Sequence, residues 1–230
     1  MIDLELHSHT HYSHDSLNHL DDVVRACREH GIQRIAITDH GKIAGALRAY
    51  DLAPDLVIVG EEVKTTQGEL LCLFIHEQIP RGLPPEAVIA IAHAQGGIVG
   101  TPHPLDTQRA GLGRQVILRL AGQLDFIEVF NARSIEPRSN AEAAALAREL
   151  NLPGSVGSDA HLLSEIGTCR VRMREYTTPH DFLLALRTAE LITRSSSPLV
   201  HFGSRLATTA HLLGFDKLPE KSGSPDSGGK

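Results

Sequence analysis

"MIDLELHSHTHYSHDSLNHLDDVVRACREHGIQRIAITDHG", residues 1–41, reads as strand, helix, strand, and that order decides the fold class. "LEL" at 4–6 is a short apolar strand. In "SLNHLDDVVRACREHG", Leu20, Val23, Val24 and Cys27 fall at helical spacing. Asp21 and Asp22 sit in the first turn, Ser16 or Asn18 is the capping candidate and Gly31 the terminator. "IQRIAIT" at 32–38 is the second strand. Further strand-like runs are "LVIVG" at 56–60, "LLCLFI" at 70–75, "GIVGT" at 97–101, "FIEVF" at 126–130 and "GSVGS" at 154–158. The stretches "PPEAVIAIAHAQGG", "GRQVILRLAGQL", "SNAEAAALARELN" and "TPHDFLLALRTAE" carry the helical pattern. Alternating strands and helices imply right-handed crossovers and a parallel sheet, open or closed into a barrel. A chain of 230 residues has room for about six to eight such units in one compact barrel domain over 1–215. The Gly-, Ser- and Pro-rich end, 216–230, is expected to be a disordered tail.

Composition narrows the function. A net charge of −6 offers no basic footprint for a long nucleic acid. With no Trp and only 3 Tyr and 6 Phe there is little surface on which single strands could stack. Cys27, Cys72 and Cys169 are odd in number and lack any CxxC spacing, which points to a reducing compartment. No signal peptide and no apolar run of ~18 residues is evident, so a cytoplasmic protein without a membrane span is expected.

Five histidines stand between residues 7 and 19, interleaved with Ser, Thr, Tyr and Asp rather than run together as in a tag. His7 and His9 leave the first strand, Asp39 and His40 the second ("ITDHG"), and Glu62 follows the third ("GEEV"). His103 follows "GIVGT", Glu128 and Asn131 end the "FIEVF" strand, and Asp159 and His161 leave "GSVGS". In a parallel barrel the carboxyl ends of the strands converge on one face, where active sites are built. Imidazole and carboxylate are ligands for Mn, Zn or Fe, and this set exceeds what one four-coordinate ion uses. Two or three divalent transition metals are therefore expected, with a carboxylate bridging. Asp39 is expected to orient the neighbouring His40 ring without ligating. Arg109 and Arg133, with Asn131, are candidates to bind a substrate phosphate, though each arginine could equally be in a surface salt bridge. His11, His19, His30, His93, His180, His201 and His211 lie outside the motifs and are expected to be solvated or satisfied locally.

HSHTHYSHDS, ITDHG, GEEV, TPHP and GSDAH, in that order, resemble the PHP (polymerase and histidinol phosphatase) superfamily over roughly residues 3–205. The resemblance implies a distorted (β/α)7 TIM-like barrel with a trinuclear site. His7, His9, Glu62 and Asp159 would hold one metal, and Glu62 would bridge to a second that also takes His103. The third would sit on His40, His161 and a residue of the first motif, Asp15 or its neighbour His14. Many relatives carry a histidine where this chain has Glu69 in "GELLCLFI", so Glu69 is a ligand candidate for the second metal and His76 its rival. The activity implied is hydrolysis of a small phosphorylated substrate, a metabolite or nucleotide monoester, by direct attack of a metal-bridging hydroxide. Asp159 and His161 are then the catalytic candidates, with His161 as proton donor. The alternatives are a nuclease or oligonucleotide phosphodiesterase of the same family, a metal-dependent amidohydrolase, whose scheme needs a bridging carboxylated Lys and has no place for TDH, or a non-catalytic module.

Overall fold

The computed structural model describes residues 1–136, 138–197, 200, 207–209 and 212–213. The tail expected over 216–230, with His201 and His211, lies outside the described residues. The elements run β1 (Ile2–Ser8), α1 (Leu20–His30), β2 (Arg34–Ile37), α2 (Ala44–Leu52), β3 (Val57–Lys64), β4 (Glu69–Leu73), α3 (Pro85–Ala94), β5 (Ile98–Thr101), α4 (Arg114–Leu120), β6 (Phe126–Asn131), α5 (Ser139–Glu149), β7 (Gly154–Gly157), β8 (Arg170–Met173), α6 (Pro179–Leu186) and β9 (Glu190–Ile192). The expected strands and helices are all present, and α2, β8 and β9 are additional. The strands form one mixed α/β sheet in the order β7-β6-β5-β4-β3-β2-β1-β8-β9. It curls almost shut, because a parallel bridge between Ser8 and Ala160 ties the end of β7 back to β1.

The sheet departs from an all-parallel ring at β4, which is antiparallel to both β3 and β5. A tight turn, in which the backbone N–H of Thr65 donates to the Gly68 carbonyl, joins β3 directly to β4 without a helix. β8 pairs antiparallel with the first half of β1, and β9 pairs antiparallel with β8.

Alternation along the strands sorts side chains into an interior and an outer layer. Ile58, Leu71, Leu73, Ile98, Phe126 and Val156 fill the barrel interior with Leu4, Leu6 and Ala36. α6 closes the bottom with Phe182 and Leu186. Outside, Ile35 and Ile37 pack on α1 and α2, while Val63, Leu70, Val99 and Ile127 pack under α3, α4 and α5. Two residues further along the inward face, Ile58 gives way to Gly60 and then Glu62, Leu71 to Glu69, and Phe126 to Glu128. These inward stripes are apolar at the bottom and carry a carboxylate at the top.

Two irregularities adjust that parity. β1 gains a residue against β2 between Glu5 and Ser8, so Leu4 and Leu6 share the interior with the odd-numbered His7. β6 gains one against β7 between Glu128 and Phe130, which turns Asn131 inward after Glu128. Such bulges re-aim side chains beside active sites. The capping role expected of Ser16 or Asn18 is not filled: α1 has no side-chain cap, and both residues instead bond the His9 carbonyl. Packing of the apolar face compensates for the missing cap.

Phe126 lies fully buried at the barrel centre, directly against Gly100. Phe126→Ala should cost about 3–5 kcal/mol of unfolding free energy, read as a fall in the urea midpoint.

Candidate metal centre

Glu62, 1% exposed, lies near the middle of the polar end of the barrel. Its Oε2 is 3.4 Å from His7 Nε2, 3.4 Å from His9 Nε2 and 3.0 Å from His40 Nδ1. Its Oε1 is 3.1 Å from His103 Nε2. Asp159 Oδ1 stands 3.4 Å from His9 Nε2 and 3.4 Å from His161 Nδ1. Asp15 Oδ2 joins His161 Nε2 at 3.1 Å and His40 Nε2 at 3.5 Å. Glu69 Oε2 is 4.0 Å from His103 Nε2. The expected ligand set therefore meets in one place.

The donors fit divalent cations. His9, His40 and His161 each bring one donor atom within 4.8 Å of the others, as do His7, Glu62 and His103; His7, His9 and Asp159; and His40, Glu62 and Glu69. His9 Nε2, His103 Nδ1 and Asp15 Oδ1 are buried without a hydrogen-bond partner among the described residues. Buried polar atoms ordinarily find partners, and imidazole nitrogens beside carboxylates are the donor types that Zn, Mn and Fe take.

The choices left open in the sequence separate by geometry. Asp15 faces the centre, whereas the His14 side chain is 67% exposed. Because β4 runs antiparallel, its first residue, Glu69, lies opposite Lys64 at the end of β3 and hence at the ligand face. His76 follows the other end of β4, exposed, with its backbone N–H on Gln95.

A supporting layer holds these groups. Glu128 Oε1 lies 3.0 Å from His7 Nδ1, and Oε2 accepts the His103 N–H at 2.6 Å. Asn131 Nδ2 donates to Glu128 at 3.0 Å and to Asp159 at 3.1 Å. Asn131 is thus buried behind Asp159 instead of facing a substrate. Asp39 does not touch the His40 ring it was expected to orient. It accepts from Thr10 and from Ser13 Oγ at 2.7 Å, and Ser13 Oγ in turn is 3.2 Å from His9 Nδ1. Hydrogen bonds of this kind fix the ring orientation of metal-binding histidines. Glu5 is a member that sequence reading missed. Its fully buried carboxylate accepts the backbone N–H groups of His7, Ser158 and Gly167. Its place two residues before His7 was the available signal.

Of the two arginines, only Arg109 lines the open pocket over Asp15, His103, Asp159 and His161, where it pairs with Asp159. Arg133 is buried against Glu165, at 3.3 Å, and donates to the Val200 carbonyl. That placement corrects the expectation of a phosphate contact. Outside the centre, His11 meets the Asn18 carbonyl, His30 the Ile166 carbonyl and His93 the Asp125 carboxylate.

Burial depresses His9, helped by the nearby His161 and His40. Burial also carries His161 down to about 4 despite Asp15. With its Nδ1 on the Asp159 carbonyl at 2.8 Å and its Nε2 3.1 Å from Asp15 Oδ2, the His161 ring is fixed on both sides and turned into the centre. Burial opposes a charge on His7 too, but Glu62 and Glu128 overcome it and lift His7 to about 10. Glu62 is held well below its usual range, the neighbouring imidazoles outweighing burial. Burial raises Glu69, with the Glu62 charge adding to it.

The backbone is distorted at two of these residues: His103 has φ 29° and Asp159 φ 53°, a left-handed region uncommon outside glycine. Strain of this sort concentrates at functional sites.

The geometry agrees with what the chain is similar to. Residues 137–191 match a family model described as PHP-associated. Uncharacterized protein MJ1587 of Methanocaldococcus jannaschii is 36% identical over 141 residues, 56% of this chain and 81% of that protein. MJ0417 of the same organism is 31% identical over 211 residues, 85% of this chain and 84% of that protein. Among solved structures, PsfC of Pseudomonas syringae superposes with a TM-score of 0.67 at 15% identity, covering 91% of this chain and 98% of that one. A proposed metal-dependent phosphoesterase of Bifidobacterium adolescentis gives 0.57 at 19% identity, and an amidohydrolase of Chromobacterium violaceum with bound sulfate gives 0.55 at 17%. Each of these two covers 69% of this chain and 87% of its own. At such identities the structural likeness speaks to the fold alone.

Two outcomes are expected. A Cβ on Gly157 would strike the Glu128 carboxylate and stand 2.7 Å from His7 Cβ. Gly157→Ala should therefore weaken metal binding by ~10–100-fold, the range for a lost supporting contact, as read by Mn²⁺ titration. Because His7 holds its proton up to about 10, a cation must displace that proton. Metal affinity should rise with pH through the neutral range, and calorimetry in buffers of different ionisation enthalpy should register proton release.

Proposed function

Because this chain belongs to the PHP superfamily, and because its histidines and carboxylates converge on one buried carboxylate, we propose that it is a metal-dependent phosphoesterase acting on a small phosphorylated molecule. The observation that carries the reading is Glu62, within 3.4 Å of four imidazoles at once. His7, His9, Glu62 and Asp159 are assigned to one ion; Glu62, His103 and Glu69 to a second; His40, His161 and Asp15 to a third. Mn, Zn or Fe suits these donors. Bound there, two or three divalent cations would supply positive charge for a phosphate and an acidified water for in-line attack. No protein nucleophile is required: Cys72 is buried, with its thiol raised well above the usual range by desolvation.

The chain's own residues do the positioning. Asn131 and Glu128 keep Asp159 and His7 in place, and Ser13 with Asp39 holds His9. Arg109 stands at the pocket wall, where a guanidinium can grip a phosphate oxygen in two places. The shared carboxylate is a glutamate, which favours this reading over an amidohydrolase centre bridged by a carboxylated lysine. The open pocket over these residues, about 320 Å³, suits a small molecule.

Protein prepared without chelators should contain two to three transition-metal ions by elemental analysis. It should release phosphate from members of a phosphomonoester panel, lose that activity to a chelator and regain it with Mn²⁺ or Zn²⁺. Asp159→Ala and His9→Ala should lower turnover by orders of magnitude with the fold retained by circular dichroism. Glu69→Ala should lower metal content and turnover together, and His76→Ala neither. A single ion or none after remetallation, or no ester cleaved, would refute the reading.

A further inference from the structure

The ring of strands closes at one sparse point. No ladder joins β7 to β1 among the described residues; the bridge between Ser8 and Ala160 completes the ring. Two backbone bonds hold it, the His9 N–H on the Ala160 carbonyl at 2.9 Å and the Ala160 N–H on the His7 carbonyl at 3.3 Å. Yet His7 and Asp159 face each other across this seam, His7 Nε2 lying 3.8 Å from Asp159 Oδ1. A spacing on which an ion depends needs firmer support than one bridge supplies.

Glu5, 0% exposed, spans the seam. Its Oε1 accepts the His7 N–H at 3.2 Å and the Ser158 N–H at 3.0 Å. Its Oε2 accepts the Gly167 N–H at 3.1 Å and the Ser158 hydroxyl. Two donors on each oxygen fill the acceptor sites of a carboxylate. All four donors are neutral, and Glu5 belongs to none of the ligand groups at the centre. Burying a carboxylate without a cation is costly, so its contacts must supply the reason for its presence. His7 lies where β1 takes its extra residue, and Ser158 precedes Asp159 with its φ of 53°. Backbone held against local preference persists only where its surroundings over-determine it.

We propose that Glu5 is a positioning residue for the metal centre: it pins β1 to the Ser158–His161 turn across the seam and so sets the spacing of His7 and Asp159 on one ion. The proposal rests on the metal-centre reading given above and adds to it a residue that touches no ion. Its acceptors do the work. Leucine would fill much the same space and accept nothing. Glutamine would keep one oxygen for the His7 and Ser158 N–H groups. Its amide would face Ser158 Oγ, whose hydrogen can turn to the Cys169 carbonyl at 3.2 Å.

The test is Mn²⁺ titration of the full-length protein by calorimetry. Glu5→Leu should weaken one ion by ~10–100-fold, the range for a lost supporting contact, and leave the others as in the wild type. Glu5→Gln should keep most of that affinity. Phe182→Ala, which opens the core at the far end of the barrel, is the control for lost stability and should bind every ion as the wild type does. Glu5→Leu titrating like the wild type would overturn the proposal. So would a loss spread over all ions and matched by Phe182→Ala, which would mean a purely structural role. Glu5→Gln as weak as Glu5→Leu would also overturn it, by showing that the charge acts and not the acceptors. Should Glu5→Leu fail to fold, Ser158→Ala removes one of the four donors and should weaken the same ion about fivefold, the worth of one hydrogen bond; unchanged affinity there would overturn the proposal equally. A wild-type protein that binds no Mn²⁺ would refute the metal-centre reading itself, a result distinct from all of these.

Discussion

One carboxylate shared by four imidazoles is the constraint around which this molecule is arranged. Glu62 has two oxygens, and His7, His9, His40 and His103 all stand within 3.4 Å of them. Taking an ionised carboxylate out of water costs several kcal/mol unless it is compensated. The imidazoles compensate in part, yet burial keeps His9 neutral and leaves its Nε2 without a hydrogen bond. Cations coordinated by the same atoms would balance the group. The barrel brings the partners together: β1, β2, β3 and the segment after β5 each deliver a side chain to the same end.

Delivering them required local departures from regularity. The extra residue in β1 moves His7 onto the interior stripe, and the one in β6 turns Asn131 onto Asp159. His103 and Asp159 accept positive φ, and Gly157 leaves out the Cβ that Glu128 and His7 would meet. These features oppose local preference, and the apolar lower barrel, closed by Phe182 and Leu186 of α6, offsets them.

The electrostatic plan has an acidic, imidazole-rich centre with a guanidinium at its edge. Arg109 stands there on a chain whose net charge is −6. Carboxylates at the centre would repel a phosphate and attract cations. Once cations neutralise them, Arg109 can draw and orient an anion.

Much of this was legible in the sequence because it is local. Strand and helix periodicity placed the elements, and His7, His9, His40, Glu62, His103, Asp159 and His161 stood out because each closes or follows an apolar strand. What the tertiary structure alone decided is non-local. Glu69 and His76 flank the same strand, and which of them faces the centre depends on β4 running antiparallel, a matter of which strands it pairs with. Asp15 was separated from His14 by the positions of His40 and His161. Ser16 and Asn18 read as helix caps but serve the His9 carbonyl. Arg133 read as a phosphate contact or a surface salt bridge but is buried on Glu165, from a segment more than 30 residues away. A side chain's chemistry is written in its own residue, whereas its partner is set by how distant strands register and curl, and the local pattern holds no record of that.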